Sequence, residues 1–219
     1  NTNFLYGQPD GGPTHDAPQN GYLNRSRVSL DYIPRDNNHP YRPAIIFRMA
    51  EAYLSYAEAL NESSERMSHK QEILDNLNKI RHRAGIAEYG TGTDENGFTR
   101  IKINFSDQKE VRRLIHKERR VEFVGEGVRY HDLRRWKTAH YGIGNLNEQG
   151  ENPDWGVNGP DYGMNYYGTE YTDQGDNAFF KRTKYMDRVY PRKFYWYPIH
   201  QSEIDKDPTL VQGPFWLGE

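Results

Sequence analysis

The sequence contains no cysteine, which excludes disulfide staples, thiolate nucleophiles and cysteine-ligated metals together. It lacks any run close to the roughly 20 apolar residues that a membrane-spanning helix requires. Its first residues show no basic-then-apolar leader, so the chain reads as mature, trimmed or partial. Charge of one sign is lacking too. The 29 Lys and Arg residues face 31 Asp and Glu, a formal net charge of -2, so no global field points to nucleic acid or anionic lipid. There is no glycine-rich phosphate loop, no nucleophile elbow and no His-Glu-x-x-His spacing. The eight histidines (His15, His39, His69, His82, His116, His131, His140, His200) are scattered and match no metal-site spacing.

What the chain does have is aromatic surface. Mean hydropathy is low at -1.04, yet aromatics make up 14% of the 219 residues and 17 of them are Tyr. That is too aromatic for a disordered polymer, and such amphipathic rings are at home on wet binding surfaces. The length suits one domain or two small ones.

Residues 1–42 are rich in Gly, Pro, Asn and Asp and form an irregular segment, with alternation only at Arg27–Ile33 suggesting a short strand. A helical core is expected over 43–136. Pro43 suits a first helical position, and Ile46, Met49, Tyr53, Tyr56 and Leu60 recur at helical spacing, predicting an amphipathic helix to about Asn61 with that face toward the core. A second helix from about Lys70 places Ile73, Leu77, Ile80 and Ala84 on one face, with Gly85 as its C-terminal cap. The two form a helical hairpin that cannot bury itself alone. After a glycine-containing loop, Ser106 or Asp107 caps a third helix bearing Val111, Leu114 and Ile115.

That helix leads into the densest stretch of the chain, Glu118 to Trp136, where charges of both signs crowd among Val121, Phe123, Leu133 and Trp136. Gly125 and Gly127 interrupt it, ending one helix before a short second one begins. Glu118, Arg119, Glu122, Arg129, Asp132 and Arg135 are expected to form a partly buried structural ion network, because the apolar residues among them draw neighbouring charges inward. As a catalytic acid/base pair for glycoside hydrolysis, Glu118 and Glu122 are poorly suited. Neighbouring arginines depress carboxyl pKa values where a general acid needs one raised, and residues one helical turn apart point the same way. No catalytic residue is assigned.

Residues 137–177 form a long aromatic loop, and the ligand candidates lie in it: Tyr141, Trp155, Tyr162, Tyr166, Tyr167 and Tyr171. A sugar ring presents a flat C–H face that stacks on such side chains, while its hydroxyls want groups such as Asn152, Asp154 and Asn165. The alternative is that the rings fold the loop onto the body. Asp- and Asn-rich runs at 145–154 and 173–177 carry calcium-type oxygens without the EF-hand spacing. No cofactor is expected, a structural calcium ion being the one exception left open. Over 178–219, the stretches 179–185 and 192–197 predict short strands, followed by a helical turn near 201–205 and a C-terminal tail.

Three groups of residues carry a family resemblance. The first is RPAIIFRMAEAYLSYAEALNE at 42–62 with LNKIRHRAG at 77–85. The second is ERRVE at 118–122 with EGVRYHDLRRW at 126–136. The third is YPI at 197–199, EID at 203–205 and PTLVQ at 208–212. In this order they resemble the C-terminal part of the SusD/RagB outer-membrane nutrient-binding lipoproteins. His200 and Asp207 stand where that family more often has Pro and Asn. The resemblance implies a mainly α fold of tetratricopeptide-like hairpins with long loops and a few short β segments. It implies a lipid-anchored protein on the cell-surface side of the outer membrane, its anchor on an N-terminal part not included in this sequence. There it would capture oligosaccharides, or peptides, for a SusC-like TonB-dependent transporter, without catalysis. A helical-repeat adaptor that binds protein and ignores sugar is the other class left open.

Overall fold

The computed structural model describes residues 3–12, 18, 20–22, 29, 31, 40–41, 45–142 and 156–217. Pro43, most of the strand expected at 27–33 and the candidate ligand residue Trp155 lie outside them. The described residues form five α-helices and one two-stranded sheet, the mainly α class expected, arranged as two compact units. The division falls inside α4, after Asp132.

The first unit, up to Asp132, is built on α1 (Met49–Glu62), α2 (Lys70–Arg83) and α3 (Gln108–Glu122). Helix α1 packs against both of the others. Leu54, Ala57, Ile73, Leu77, Val111 and Ile115 meet there with no solvent exposure, and Phe123 and Tyr89 close the cluster. Branched aliphatic residues dominate the meeting faces, and Ala50 and Ala57 on α1 let its backbone approach closely while apolar area leaves water.

The buried face of α1 is only in part the expected one, with Leu60 buried and Tyr53 packed against the core. Ala50, Leu54, Ala57 and Leu60 point inward with Asn61, whereas Ile46, Met49 and Tyr56 are exposed, Ile46 almost wholly. The helix starts at Met49, so Ile46 precedes it. A stripe through alanines also packs more tightly against two helices than one through Met and Tyr. On α2 the expected Ile73, Leu77 and Ile80 are buried, but Ala84 is exposed beyond the last turn.

Each cap has a clear cause. Asp107 accepts hydrogen bonds from the Lys109 and Glu110 amides and starts α3. At the end of α2, Gly85 adopts φ +66°, and the amides of Gly85 and Ile86 donate to the carbonyls of His82 and Arg81. Gly125 and Gly127, at φ +77° and +81°, turn the chain between α3 and α4 (Val128–Arg135). The 88–101 loop is ordered by Asp94. Its carboxylate accepts from the amides of Glu88, Asn96 and Phe98. Burial opposes the ionisation of Asp94, but those amides, with the Arg100 charge, outweigh it and hold the carboxyl below its ordinary range.

The second unit combines residues 3–12, 18 and 20–22 with those from Leu133 onward. Strand β1 (Gly159–Gly163) pairs antiparallel with β2 (Thr183–Arg188), with a register shift at Asp161/Tyr162. The 137–177 stretch is therefore not wholly irregular, since it contains β1. The extended segment expected at 192–197 is instead a 3-10 turn over Arg192–Tyr195. Pro191, at φ -70°, starts that turn, and its carbonyl accepts from the Phe194 amide. The short helix α5 (Gln201–Lys206) is capped by the His200 ring, which accepts from the Ser202 amide, so the two residues that depart from the family pattern flank this helix.

Asp94→Asn should cost stability at neutral pH and progressively less below about pH 4, because a carboxyl with a depressed folded pKa contributes above its unfolded value and loses that contribution as pH falls through the folded one. Denaturant melts from about pH 6 to pH 3 check this. A pH-independent difference between the two proteins would contradict it.

Candidate functional site

The charged stretch as far as Asp132 falls in the helical unit, and its last residues, Leu133 to Trp136, fall with the aromatic stretch in the other. In the helical unit, α3 presents Glu118, Arg119 and Glu122 to three different partners. The Glu118 carboxylate, buried, accepts from Arg81 at 2.6 Å and from the Tyr89 hydroxyl at 2.7 Å. Burial, and then that carboxylate, push the Tyr89 phenol well above its ordinary range. Arg119 donates to both oxygens of Asp132 at 2.9 Å, with each residue only 3% exposed. Glu122 is held by Arg48 and by Arg83, the latter at 2.5 and 2.6 Å. Arg48 also grips Glu126 with a fork of 2.9 and 2.7 Å and lies over the Phe123 ring.

Arg129 is half-buried; Arg135 is exposed, with its guanidinium over the Trp136 ring at 5.0 Å. Val121, expected to need covering, is 62% exposed. Arg48, Arg81, Arg83, Tyr89 and Glu126 were not expected in this network. Arg48, Arg81, Arg83 and Glu126 all lie within the quoted motifs, where the pairing of an arginine in one with a glutamate in another was the available signal.

In the other unit, the aromatic candidates separate by what their polar ends do. Tyr171 accepts from the Phe4 amide at 2.8 Å and donates to Asn3 at 2.9 Å, so it ties residues 3–12 to the loop. Tyr166 lies against Gly12 so closely that a Cβ there would come within 2.6 Å of its ring. With Phe4 and Phe179 they line a cavity of about 10 Å³, room for one water. Asn165, expected near the sugar hydroxyls, is buried and committed to the loop's own backbone. It donates to the carbonyls of Asp176 and Ala178 and accepts from the Tyr167 amide.

The exposed rings differ. Tyr167 is 68% exposed and 5.4 Å from both Tyr6 and Tyr166. Tyr162 is exposed with Arg182 over its face at 4.2 Å. Tyr141, by contrast, is half-buried and lies tilted by 38° against His140 at 4.2 Å. Burial, with the Arg192 charge, lowers the His140 pKa. Trp155 is outside the described residues.

A second aromatic group was missed because 192–197 read as a strand. Tyr190, Phe194, Tyr195 and Trp216 interlock at 5.4 to 6.2 Å, and the Trp216 indole donates to the Trp196 carbonyl. Arg134 ties the turn down by donating to the carbonyls of Phe194 and Tyr195. Tyr197 beside it is 81% exposed.

Among the described residues, no three His, Asp or Glu side chains are grouped to hold a metal ion. The 145–154 run lies outside them, and 173–177 is an exposed turn. No helix among them is long and apolar enough to cross a membrane.

Compared with known families, the chain matches the SusD family over residues 2–216. It belongs to the SusD family. Among curated relatives it is similar to two from Formosa agariphila. SusD-like protein P25 is 32% identical over 109 residues, 50% of this chain and 18% of that protein. SusD-like protein P38 is 32% identical over 103 residues, 47% of this chain and 19% of that protein. A crystal structure of a SusD-like protein from Bacteroides fragilis aligns with a TM-score of 0.51 and 27% identity, covering 78% of this chain and 26% of that one. The chain thus spans about a fifth of the length of the SusD-like relatives it matches and about a quarter of that structure.

Tyr171→Phe should speed hydrogen exchange at the Phe4 amide and cost at most about 1 kcal/mol per lost bond in global stability, since both bonds are solvent-facing. Tyr167→Ala should leave that exchange rate unchanged. Equal rates in wild type and Tyr171→Phe would show that the hydroxyl does not hold residues 3–12.

Proposed function

We propose that this chain is part of a cell-surface capture protein that binds glycans for uptake through a TonB-dependent outer-membrane transporter and performs no catalysis. The observation that carries the reading is the exposed ring pair Tyr6 and Tyr167, set 5.4 Å apart and tilted by 48°, with Tyr166 edge-on behind Tyr167. Two rings inclined to each other present a shallow apolar cleft that fits the C–H face of a sugar, and the turn beneath is fixed by Asn165. Tyr171 and Tyr166 serve the scaffold under it. Membership of the SusD family supports capture for uptake, and so does the fate of Glu118 and Glu122, whose oxygens are engaged by arginines.

A capture protein must also release its ligand, so moderate affinity spread over a few rings suits it better than one deep pocket. Peptide capture by the same rings is the alternative within the family. One observation favours a protein-contacting face as well: Ile45, Ile46 and Phe47 lie exposed beside Arg48, the residue that anchors them through Glu122 and Glu126. We place the protein partner there.

Calorimetry against a panel of neutral oligosaccharides and peptides tests the reading. Tyr6→Ala and Tyr167→Ala should each weaken a bound glycan roughly fivefold, about 1 kcal/mol for one stacked ring, with unchanged melting temperature. Identical isotherms for both variants and wild type would move the site elsewhere. Binding of peptides alone would replace the glycan with the peptide reading.

A further inference from the structure

The helical unit carries an open cavity of about 380 Å³ between the first turn of α2 and the 90–105 loop, within the size range of small-ligand sites. Its polar lining has one sign of charge. Lys70, Arg100 and Lys102 face it, with no carboxylate among its lining residues. Leu74, Ile103 and Phe105 supply an apolar floor, all three packed against the buried helical core.

The neighbouring acids are already engaged. Glu88 takes Arg100 at 2.8 Å, Glu72 accepts from Tyr56 and lies against His69, and Asp75 accepts from the Gln71 amide. Lys70 and Lys102 make no ion pair among the described residues. Arg100 keeps a buried Nε donor with no acceptor there. Gly90 lines the cavity at φ +135°, a backbone conformation that favours glycine. The loop itself is fixed by the three amide bonds to Asp94.

Two uncompensated ammonium groups around an apolar floor select a ligand with an acidic group on a body that has an apolar face. A free inorganic anion would use the charges and leave the floor bare. We propose that this cavity binds acidic saccharides, a sugar ring carrying a carboxylate or a sulfate ester, with Lys70 and Lys102 on the acid and Leu74, Ile103 and Phe105 under the ring. The proposal rests on the glycan-capture reading and adds a second site to it, in the other unit from Tyr6 and Tyr167.

The test is calorimetry of the chain with trigalacturonate, its fully methyl-esterified form, a sulfated disaccharide, inorganic sulfate and hexaglutamate. Trigalacturonate or the sulfated disaccharide should bind, and the two distinguish carboxylate from sulfate recognition. Lys70→Ser/Lys102→Ser should weaken that binding at least about tenfold, the loss expected when charge-assisted hydrogen bonds are removed. Affinity should fall as salt rises. Both lysines are exposed and make no ion pair among the described residues, so the double variant keeps its melting temperature; Lys70→Arg/Lys102→Arg should retain binding.

Equal binding of the acid and its methyl ester would overturn the proposal, as would an unaffected double variant. Sulfate or hexaglutamate binding as tightly as the sugars would make this a general anion site and overturn it too. Neutral glycan binding that depends on Tyr167, together with no acid-dependent binding, removes the cavity and leaves the capture reading standing. Absence of all glycan binding removes both.

Discussion

The bidentate pair between Arg119 and Asp132 is the contact on which the helical unit depends for its specificity. Both groups are 3% exposed, so neither has water to fall back on. Two charges buried together roughly break even against an apolar pair of the same volume, but either one alone is strongly unfavourable. Such a pair therefore adds little net stability and forbids arrangements in which the partners miss each other. Its neighbours extend the rule. Within five positions, α3 sends Glu118 to α2 through Arg81, Arg119 to α4 through Asp132, and Glu122 to the residue that precedes α1, Arg48. The driving force comes from Leu54, Ile73, Leu77, Val111 and Ile115, which would collapse in several registers. The ion pairs select one of them.

Much of this unit was legible in the sequence because its signals are local. Helical spacing located α2 and α3, Asp107 and Gly85 marked their ends, and Gly125 with Gly127 marked the break before α4. The orientation of α1 was legible only in part. Alternative stripes run through the same helix, one of large residues and one of alanine and leucine, and only the presence of two neighbouring helices decides that the smaller stripe is buried. The partners of Glu118 and Glu122 were equally hidden, since Arg81, Arg83 and Arg48 are 37 to 74 residues away.

The aromatic unit shows the opposite limit. Composition revealed that rings were abundant there, but a tyrosine has both an apolar body and a hydroxyl, and the sequence does not say which is in use. Tyr171 uses its hydroxyl to bind Asn3 and Phe4, residues at the far end of the chain, which turns a candidate ligand contact into a fastening. Asn165 sits next to two tyrosines and spans their turn from beneath instead of facing a ligand. Tyr167 and Tyr6 keep an exposed face because the rings they touch cover only part of each. The β propensity of the 192–197 stretch is likewise met only from Trp196, which is extended, after the turn that follows Pro191 over Arg192–Tyr195.

The tie between Tyr171 and Asn3 has a consequence for assembly. Helices α1, α2 and α3 and the two loops that join them lie in one continuous stretch, and the described residues of that core all fall within 50–128. Residues 3–12 must wait for contacts some 160 positions downstream, including the Gly168 carbonyl that receives the Tyr6 amide. Closing so long a loop is entropically slow. One unit can therefore form on contacts between segments close in the chain, while the surface that carries Tyr6 beside Tyr167 joins segments some 160 positions apart and closes more slowly.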